Sequence, residues 1–211
     1  SILEDLDGDI KRHKKMIKLS AIFLVTFLVT SSTSAWDFIM STDPHWFSTL
    51  FGWYTFASLF VTGLAAITLV TLYLKRQGYL ENVNENHLHD LGKFMFAFSI
   101  FWTYLWFAQF MLIWYANLPE EIAYFLARFA NYKGLFIANF CINFFVPFLV
   151  MMSRDAKRKT KVLTFVAIVI LIGHWIDMFM MIMPSTVGAH WHIGIVEIGS
   201  TIFFGGVFLG V

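Results

Sequence analysis

The sequence predicts an all-α fold, a polytopic transmembrane helix bundle of about six spanning helices, and three observations carry that prediction. Apolar residues make up 58% of the 211 and charged residues only 14%, against about 45–50% and about 25% in soluble domains. Six apolar runs are close to the roughly 20 residues that a helix needs to cross the hydrocarbon layer. The basic residues are segregated: all of the 15 Lys and Arg except Arg128 and Lys133 lie in or beside the N-terminal segment, the second-to-third connection and the fourth-to-fifth connection. None of the runs shows the in-and-out alternation of a barrel strand, so helices are left as the elements that satisfy their backbone in lipid.

Residues 1–16 form a basic N-terminal segment, and residues 17–211 form the transmembrane domain. The first span, Ile17–Ala35, begins among Lys11, Arg12, Lys14, Lys15 and Lys18 and closes with the hydroxyl residues Thr30 to Ser34. The connection 36–49 carries no basic residue. In it Asp43-Pro44 reads as an N-cap followed by a proline at the first helical position, with His45 in reach of the helix start. The second span, Leu50–Leu74, ends at Lys75 and Arg76. Glu85–Lys93 then reads as a capped, solvated helix start before the third span, Phe94–Ala116. His87 and His89 are two positions apart, so on a helix they diverge and make a poor metal pair.

Pro119 starts a short interfacial helix within 118–133. In the fourth span, Gly134–Met152, Pro147 cannot donate to the Asn143 carbonyl, which predicts a kink. The fifth and sixth spans, Val162–Met183 and Ile193–Val211, are joined by a short connection and are expected as antiparallel neighbours. Trp36, Trp46, Trp53, Tyr54, Trp114 and Tyr115 sit near span ends and read as a headgroup-level aromatic belt. The positive-inside rule places the basic clusters and the N-terminus in the cytoplasm. The last run, FFGGVFLGV, stops inside an apolar stretch. A helix ending there would leave carbonyls without partners in lipid, so the domain is expected to be part of a larger bundle.

Composition also excludes functions. A single cysteine, Cys141, leaves no disulfide within the chain, no zinc–cysteine site, no covalently attached haem and no protein-ligated iron–sulfur cluster. No metal site and no bound redox cofactor are expected. Basic residues in clusters, with no continuous basic face, leave nucleic acid out as a partner.

Polar residues inside the spans mark the candidate site. Asp177 lies about 10 Å below the outer end of the fifth span, at 1.5 Å per residue, and His174 is one turn deeper on the same face. Glu197 lies about 8 Å into the sixth span, at nearly the depth of Asp177. These three are the proton-transfer or quinol-contact candidates, expected to line one polar cavity open to the outside. Gln109, Asn139 and Asn143 add polar groups in the outer half and read as interhelical hydrogen-bonding residues. His190 and His192 read as solvated. A buried carboxylate costs about 2.5–3.5 kcal/mol on insertion scales, which makes function its default reading. A carboxylate beside a histidine suits general-base and relay work.

Four function classes meet these residues. A cofactor-free membrane subunit of a quinol-oxidising complex would use the outer carboxylate–histidine pair. A transporter or proton pump needs a polar path through the dry inner half. A b-type cytochrome needs two facing histidines, and only His174 lies deep. A purely structural scaffold would use the same polar groups to tie helices together. Composition alone leaves the first two level.

The segments AWDFIMSTDPHWFSTLFGWYTFAS (35–58), NENHLHDLGKFMFAFSIFWTYLWFAQFMLIWYANLPEE (84–121), RDAKR (154–158) and GHWIDMFMMIMP (173–184) resemble the NrfD/PsrC-like membrane subunits of alternative complex III, above all the subunit lettered F. The resemblance covers most of residues 35–184. It implies an all-helical subunit of the bacterial inner membrane, within a quinol:cytochrome c oxidoreductase and with no redox cofactor or complete active site of its own. The implied partners are c-type haem and iron–sulfur subunits, a sister NrfD-like subunit, a terminal oxidase and membrane lipids. A quinone, menaquinone or ubiquinone, is implied at or near the subunit, and so is a proton-conducting role. Among site residues the resemblance carries over His174 and Asp177. Members of that family are longer and have more helices, in line with a larger bundle.

Overall fold

The structure, a computed structural model, describes residues 10–210. Residues 1–9 of the expected N-terminal segment, and Val211 at the end of the sixth run, lie outside the described residues.

All regular elements among the described residues are helical. In chain order they are α1 (Ile10–Ser34), α2 (Leu50–Arg76), α3 (Glu85–Ala116), α4 (Pro119–Asn131), α5 (Lys133–Phe140), α6 (Val146–Val150), α7 (Thr160–Thr186) and α8 (Ile195–Gly210). A π-helical turn (Ala35–Ile39) and a 3-10 turn (Met40–Thr42) extend α1, and a second π-helical turn (Cys141–Phe145) joins α5 to α6. Among the described residues, five helices are long and apolar enough to cross a membrane: Ile10–Thr42, Leu50–Arg76, Glu85–Ala116, Lys133–Val150 and Thr160–Thr186; Ile195–Gly210 is a shorter apolar helix.

Two spans begin earlier than their apolar runs. α1 is helical already at Ile10, because Lys and Arg are good helix formers and the basic stretch continues the turn geometry of the span. α3 begins at Glu85 because Asn84 caps it. The Asn84 side chain accepts from the backbone N–H of Asn86 (2.9 Å) and His87 (3.2 Å), and His87 Nδ1 accepts from the Asn84 N–H (3.2 Å). The expected solvated, capped start is therefore present, and His87 completes the cap.

Asp43-Pro44 does not start a helix. The Asp43 carbonyl accepts from the Trp46 N–H (3.1 Å) in a tight turn, His45 is exposed, and α2 begins only at Leu50. The turn swings Trp46 inward, where its ring stacks on Tyr124 at 3.8 Å between centroids. Trp46 and Tyr54 are accordingly buried, at 4% and 5% exposure, rather than part of a belt. Trp36, Trp53, Trp114 and Tyr115 stay exposed.

The basic connections share one end of the bundle, where Arg158 reaches Asn86 and the Lys157 ammonium lies over the Phe96 ring. That end is termed basic below, and the opposite one the far end. One apolar cluster fills the basic end, around Leu88, Met95, Leu163, Val166 and Ile170. A second, aromatic-rich cluster fills the far end, around Trp46, Phe51, Trp102, Phe136 and Phe179. α2 brings small side chains into the centre, with Ala57, Val61 and Ala65 fully buried at intervals of four, which lets neighbouring backbones approach closely.

The kink expected at Pro147 takes the form of the Cys141–Phe145 π-helical turn. Proline removes the donor for the Asn143 carbonyl, and widening the helix by one residue absorbs the lost bond. The turn aims Asn143 at α7, where Gly173 leaves room for it. A Cβ at Gly173 would run into the Asn143 side chain and come within 2.8 Å of Ile142 Cγ2. α8 lies antiparallel to α7, as expected from the short connection. Trp175 Nε1 donates to Thr201 Oγ1 (2.8 Å), and Leu171 lines a groove with Gly205 and Phe208.

Candidate functional site

Between the two apolar clusters lies a polar layer centred on Asp177, which is 1% exposed. Its Oδ1 accepts from the Tyr54 hydroxyl and from Asn139 Nδ2 (2.8 Å). Its Oδ2 accepts from Trp102 Nε1 (3.2 Å) and Ser58 Oγ (3.4 Å). The donors come from α2 (Tyr54, Ser58), α3 (Trp102) and α5 (Asn139), so one carboxylate on α7 joins four helices. A carboxylate offers about four lone-pair sites, all acceptors. Here each meets a neutral donor from the protein.

His174 sits one turn deeper and is 3% exposed. Its Nδ1 is 2.9 Å from Ser58 Oγ and 3.8 Å from Asp177 Oδ2. Ser58 has one proton to give. When it gives that proton to Asp177, it accepts from a protonated His174 Nδ1, and the three groups form a relay from imidazole to hydroxyl to carboxylate. Trp102 stands edge-on to the imidazole, 5.3 Å between centroids, and shields the relay. Asn143 Nδ2 donates to Asn139 Oδ1 (2.7 Å). That bond fixes which end of the Asn139 amide faces Asp177.

On the far side of Asp177 is a cavity of about 30 Å³. That is room for about two waters, and far less than the 150 Å³ or so that takes a benzene ring. Asp177 itself, Tyr54, Gln109, Tyr124, Arg128 and Asn139 are polar residues that line it. Gln109 is 6% exposed, and its Nε2 has no protein partner.

Arg128, 3% exposed, is buried for a reason written in α7. Pro184 has no N–H, so the carbonyl four residues earlier, Met180, lacks its helical donor. Arg128 Nε donates to that carbonyl (3.2 Å), one terminal nitrogen to the Met181 carbonyl (3.2 Å) and the other to its own Tyr124 carbonyl (2.8 Å). The guanidinium also lies 3.3 Å over the Tyr124 ring centre. Burial pushes its pKa down from the ordinary value, opposed by the nearby Tyr124 and Asp43 side chains. An arginine remains charged through such a shift.

The structure therefore brings together His174, Asp177, Asn139 and Asn143, and places Gln109 on the adjoining cavity. Glu197 stands apart. Its Oε2 accepts from the Gly194 N–H (2.8 Å) at the start of α8. α8 meets α7 on the face of Trp175, and two positions along a helix turn by about 200°, so Asp177 points away from it. His190 and His192 are exposed in the connection. A reading by depth missed Tyr54, Ser58, Trp102 and Arg128. Trp102 carries a signal that could have found it: at 14 residues before Ala116 it is about 20 Å below that end of the helix, too deep for an interfacial belt.

A larger hollow opens between α1, α2 and α7. It measures about 350 Å³ and is lined by Thr30, Ser31, Thr55, Phe38 and Met178 among others. Thr55 and Met178 follow Tyr54 and Asp177 directly in the chain, so the hollow lies at the depth of the polar layer.

The family described as "Polysulphide reductase, NrfD" matches residues 7–188. No curated protein matches the chain.

Proposed function

The chain belongs to the NrfD, polysulphide reductase family, and from that premise we propose that it is the proton-accepting membrane subunit of a respiratory quinol:cytochrome c oxidoreductase of the alternative complex III type. One observation carries this reading: a fully buried carboxylate, Asp177, held by four neutral donors and linked through Ser58 to His174. Oxidation of a quinol releases two electrons and two protons. In this reading the electrons pass to partner subunits bearing c-type haem and iron–sulfur clusters, and the protons pass to Asp177 and His174. The quinol ring suits the hollow at Thr55 and Met178, which is of ligand size, and not the 30 Å³ cavity. The hydroxyls of Thr30, Ser31 and Thr55 there would face a quinol oxygen.

A scaffold reading also has an observation in its favour, since the same carboxylate ties four helices together. The two readings part at the level of the whole assembly. A tagged chain isolated in mild detergent from its own membrane is expected to bring down haem-containing and iron–sulfur subunits, with quinol:cytochrome c activity. An isolated assembly without c-type haem and without quinol oxidation would overturn the proposal.

The proposed orientation puts the basic end in the cytoplasm of a bacterial inner membrane. After replacement of Cys141, a cysteine at the exposed Ala189 is expected to react with an impermeant reagent from outside, and one at the exposed Thr160 only after the cells are opened. The reverse pattern would invert the topology and place the relay near the wrong side for proton release.

A further inference from the structure

We propose that the cavity beside Asp177 is a hydrated relay and that Gln109 is its gate to the pocket at Glu121, an inference that rests on the proton-transfer reading above. Gln109 is the hinge of the geometry because it lines two hollows. One is the 30 Å³ cavity shared with Asp177, Tyr54 and Arg128. The other is a pocket of about 210 Å³ at the far end, lined by Ser48, Thr49 and the half-buried Glu121 among others.

The cavity is chemically unfinished without water. Gln109 Nε2 is buried and has no protein partner, a state that is unfavourable if nothing binds it. Arg128 uses three of its five N–H groups on carbonyls, and two remain for the cavity. Waters there have the Gln109 and Arg128 donors on one side and the Tyr54 oxygen on the other, the two to four polar partners that a buried water needs. The rest of the wall is largely aromatic and thioether, with Trp106, Phe136 and Met180. The amide of Gln109 is thus the polar step toward the Glu121 pocket.

The proton balance is simple. Asp177 takes a proton on Oδ1 and donates it to the Tyr54 oxygen. Tyr54 turns its own proton toward a cavity water, and that water releases one past Gln109 to water beside Glu121. Each bond formed replaces one broken, and Asp177 ends ionised. The titratable or charged groups around Asp177 are Tyr54 on α2, Tyr124 and Arg128 on α4, and His174 on α7. α3 contributes the neutral Trp102 and Gln109, α5 contributes Asn139, and the π-helical turn after α5 contributes Asn143. Arg128 keeps its charge and so keeps an excess proton from resting in the cavity, which leaves Asp177 as the acceptor and the waters as the conduit.

The test uses the intact complex, with Gln109→Leu, of similar volume but apolar, and Gln109→Glu, which keeps a polar tip. Quinol turnover in vesicles is expected to fall by about tenfold or more in Gln109→Leu and to stay within about threefold of the parent in Gln109→Glu. A density map that resolves waters is expected to show water between Gln109, Arg128 and Tyr54 in the parent and none in Gln109→Leu. A dry cavity in the parent, or unchanged turnover in an assembled Gln109→Leu complex, overturns the proposal. If Gln109→Leu fails to assemble, Gln109→Met replaces it with the same two measurements. If Asp177→Asn leaves turnover unchanged, the functional reading is what fails, and the relay proposed here falls with it even where the water is seen.

Discussion

On the proposed function, Asp177→Asn is expected to leave the complex assembled and to lower quinol turnover by about 10²–10⁴-fold, the usual range for loss of a positioned acid–base group. An asparagine keeps the size of the side chain, and its single oxygen can still accept from the donor-only Trp102 indole and from Ser58. Its amide nitrogen then faces Tyr54, which can accept, and Asn139, which cannot without turning away from Asn143. One hydrogen bond is lost, at about 1–3 kcal/mol. Asp177→Leu is different: Tyr54, Ser58, Trp102 and Asn139 all lose their acceptor at once, and assembly is expected to fail. The pair of variants separates chemistry from scaffolding. Turnover and assembly are measured together, by cytochrome c reduction per unit of complex recovered on size exclusion. If Asp177→Asn retains turnover in an intact complex, Asp177 is not the proton acceptor; if it disassembles as Asp177→Leu does, the carboxylate is a helix tie.

The second large effect is on stability. Arg128→Met should destabilise the bundle by on the order of 3–5 kcal/mol. Three carbonyls lose a charged donor, and the Met180 carbonyl has no substitute because Pro184 cannot supply one. The saved cost of burying a guanidinium offsets part of this. Arg128→Lys, with a point charge in place of a planar fork, can meet fewer of those carbonyls and should fall between. The causal claim is sharper than the size of the loss. Pro184→Ala returns an N–H to the Met180 carbonyl, so in a double-mutant cycle it should recover part of what Arg128→Met loses. Thermal midpoints of the purified complex give all four corners. Strict additivity would show that the arginine does not serve the proline's orphan carbonyl.

What could be read from the sequence, and what could not, follows from one distinction. Depth along a helix is a matter of counting residues. Azimuth, the side that a residue faces, depends on which neighbours pack where. Counting placed His174 and Asp177 together, set α8 antiparallel to α7 and located the break at Pro147. It also gave Glu197 the depth of Asp177 but could not show that α8 would meet the Trp175 face. Trp46 and Tyr54 stand at belt depth, and the turn at Asp43 folds one inward while the second completes the carboxylate's shell. Arg128 read as an ordinary far-end charge because its partners are backbone carbonyls 52 and 53 residues away, which no side-chain pattern announces.

The spans are unequal in length. Lys133–Val150 has 18 residues and Thr160–Thr186 has 27, or about 27 Å against about 40 Å of straight helix. A hydrocarbon layer of about 30 Å fits the first closely and makes the second tilt or protrude. A bilayer thicker than this would have to thin along the α5–α6 flank, which would bring its headgroup layer toward Asn139, six residues from Lys133. In such a bilayer, bulk dielectric would come nearer to Asp177 from that flank than along α7 itself. Acyl-chain length in the surrounding bilayer would thereby become a setting for the electrostatics of Asp177.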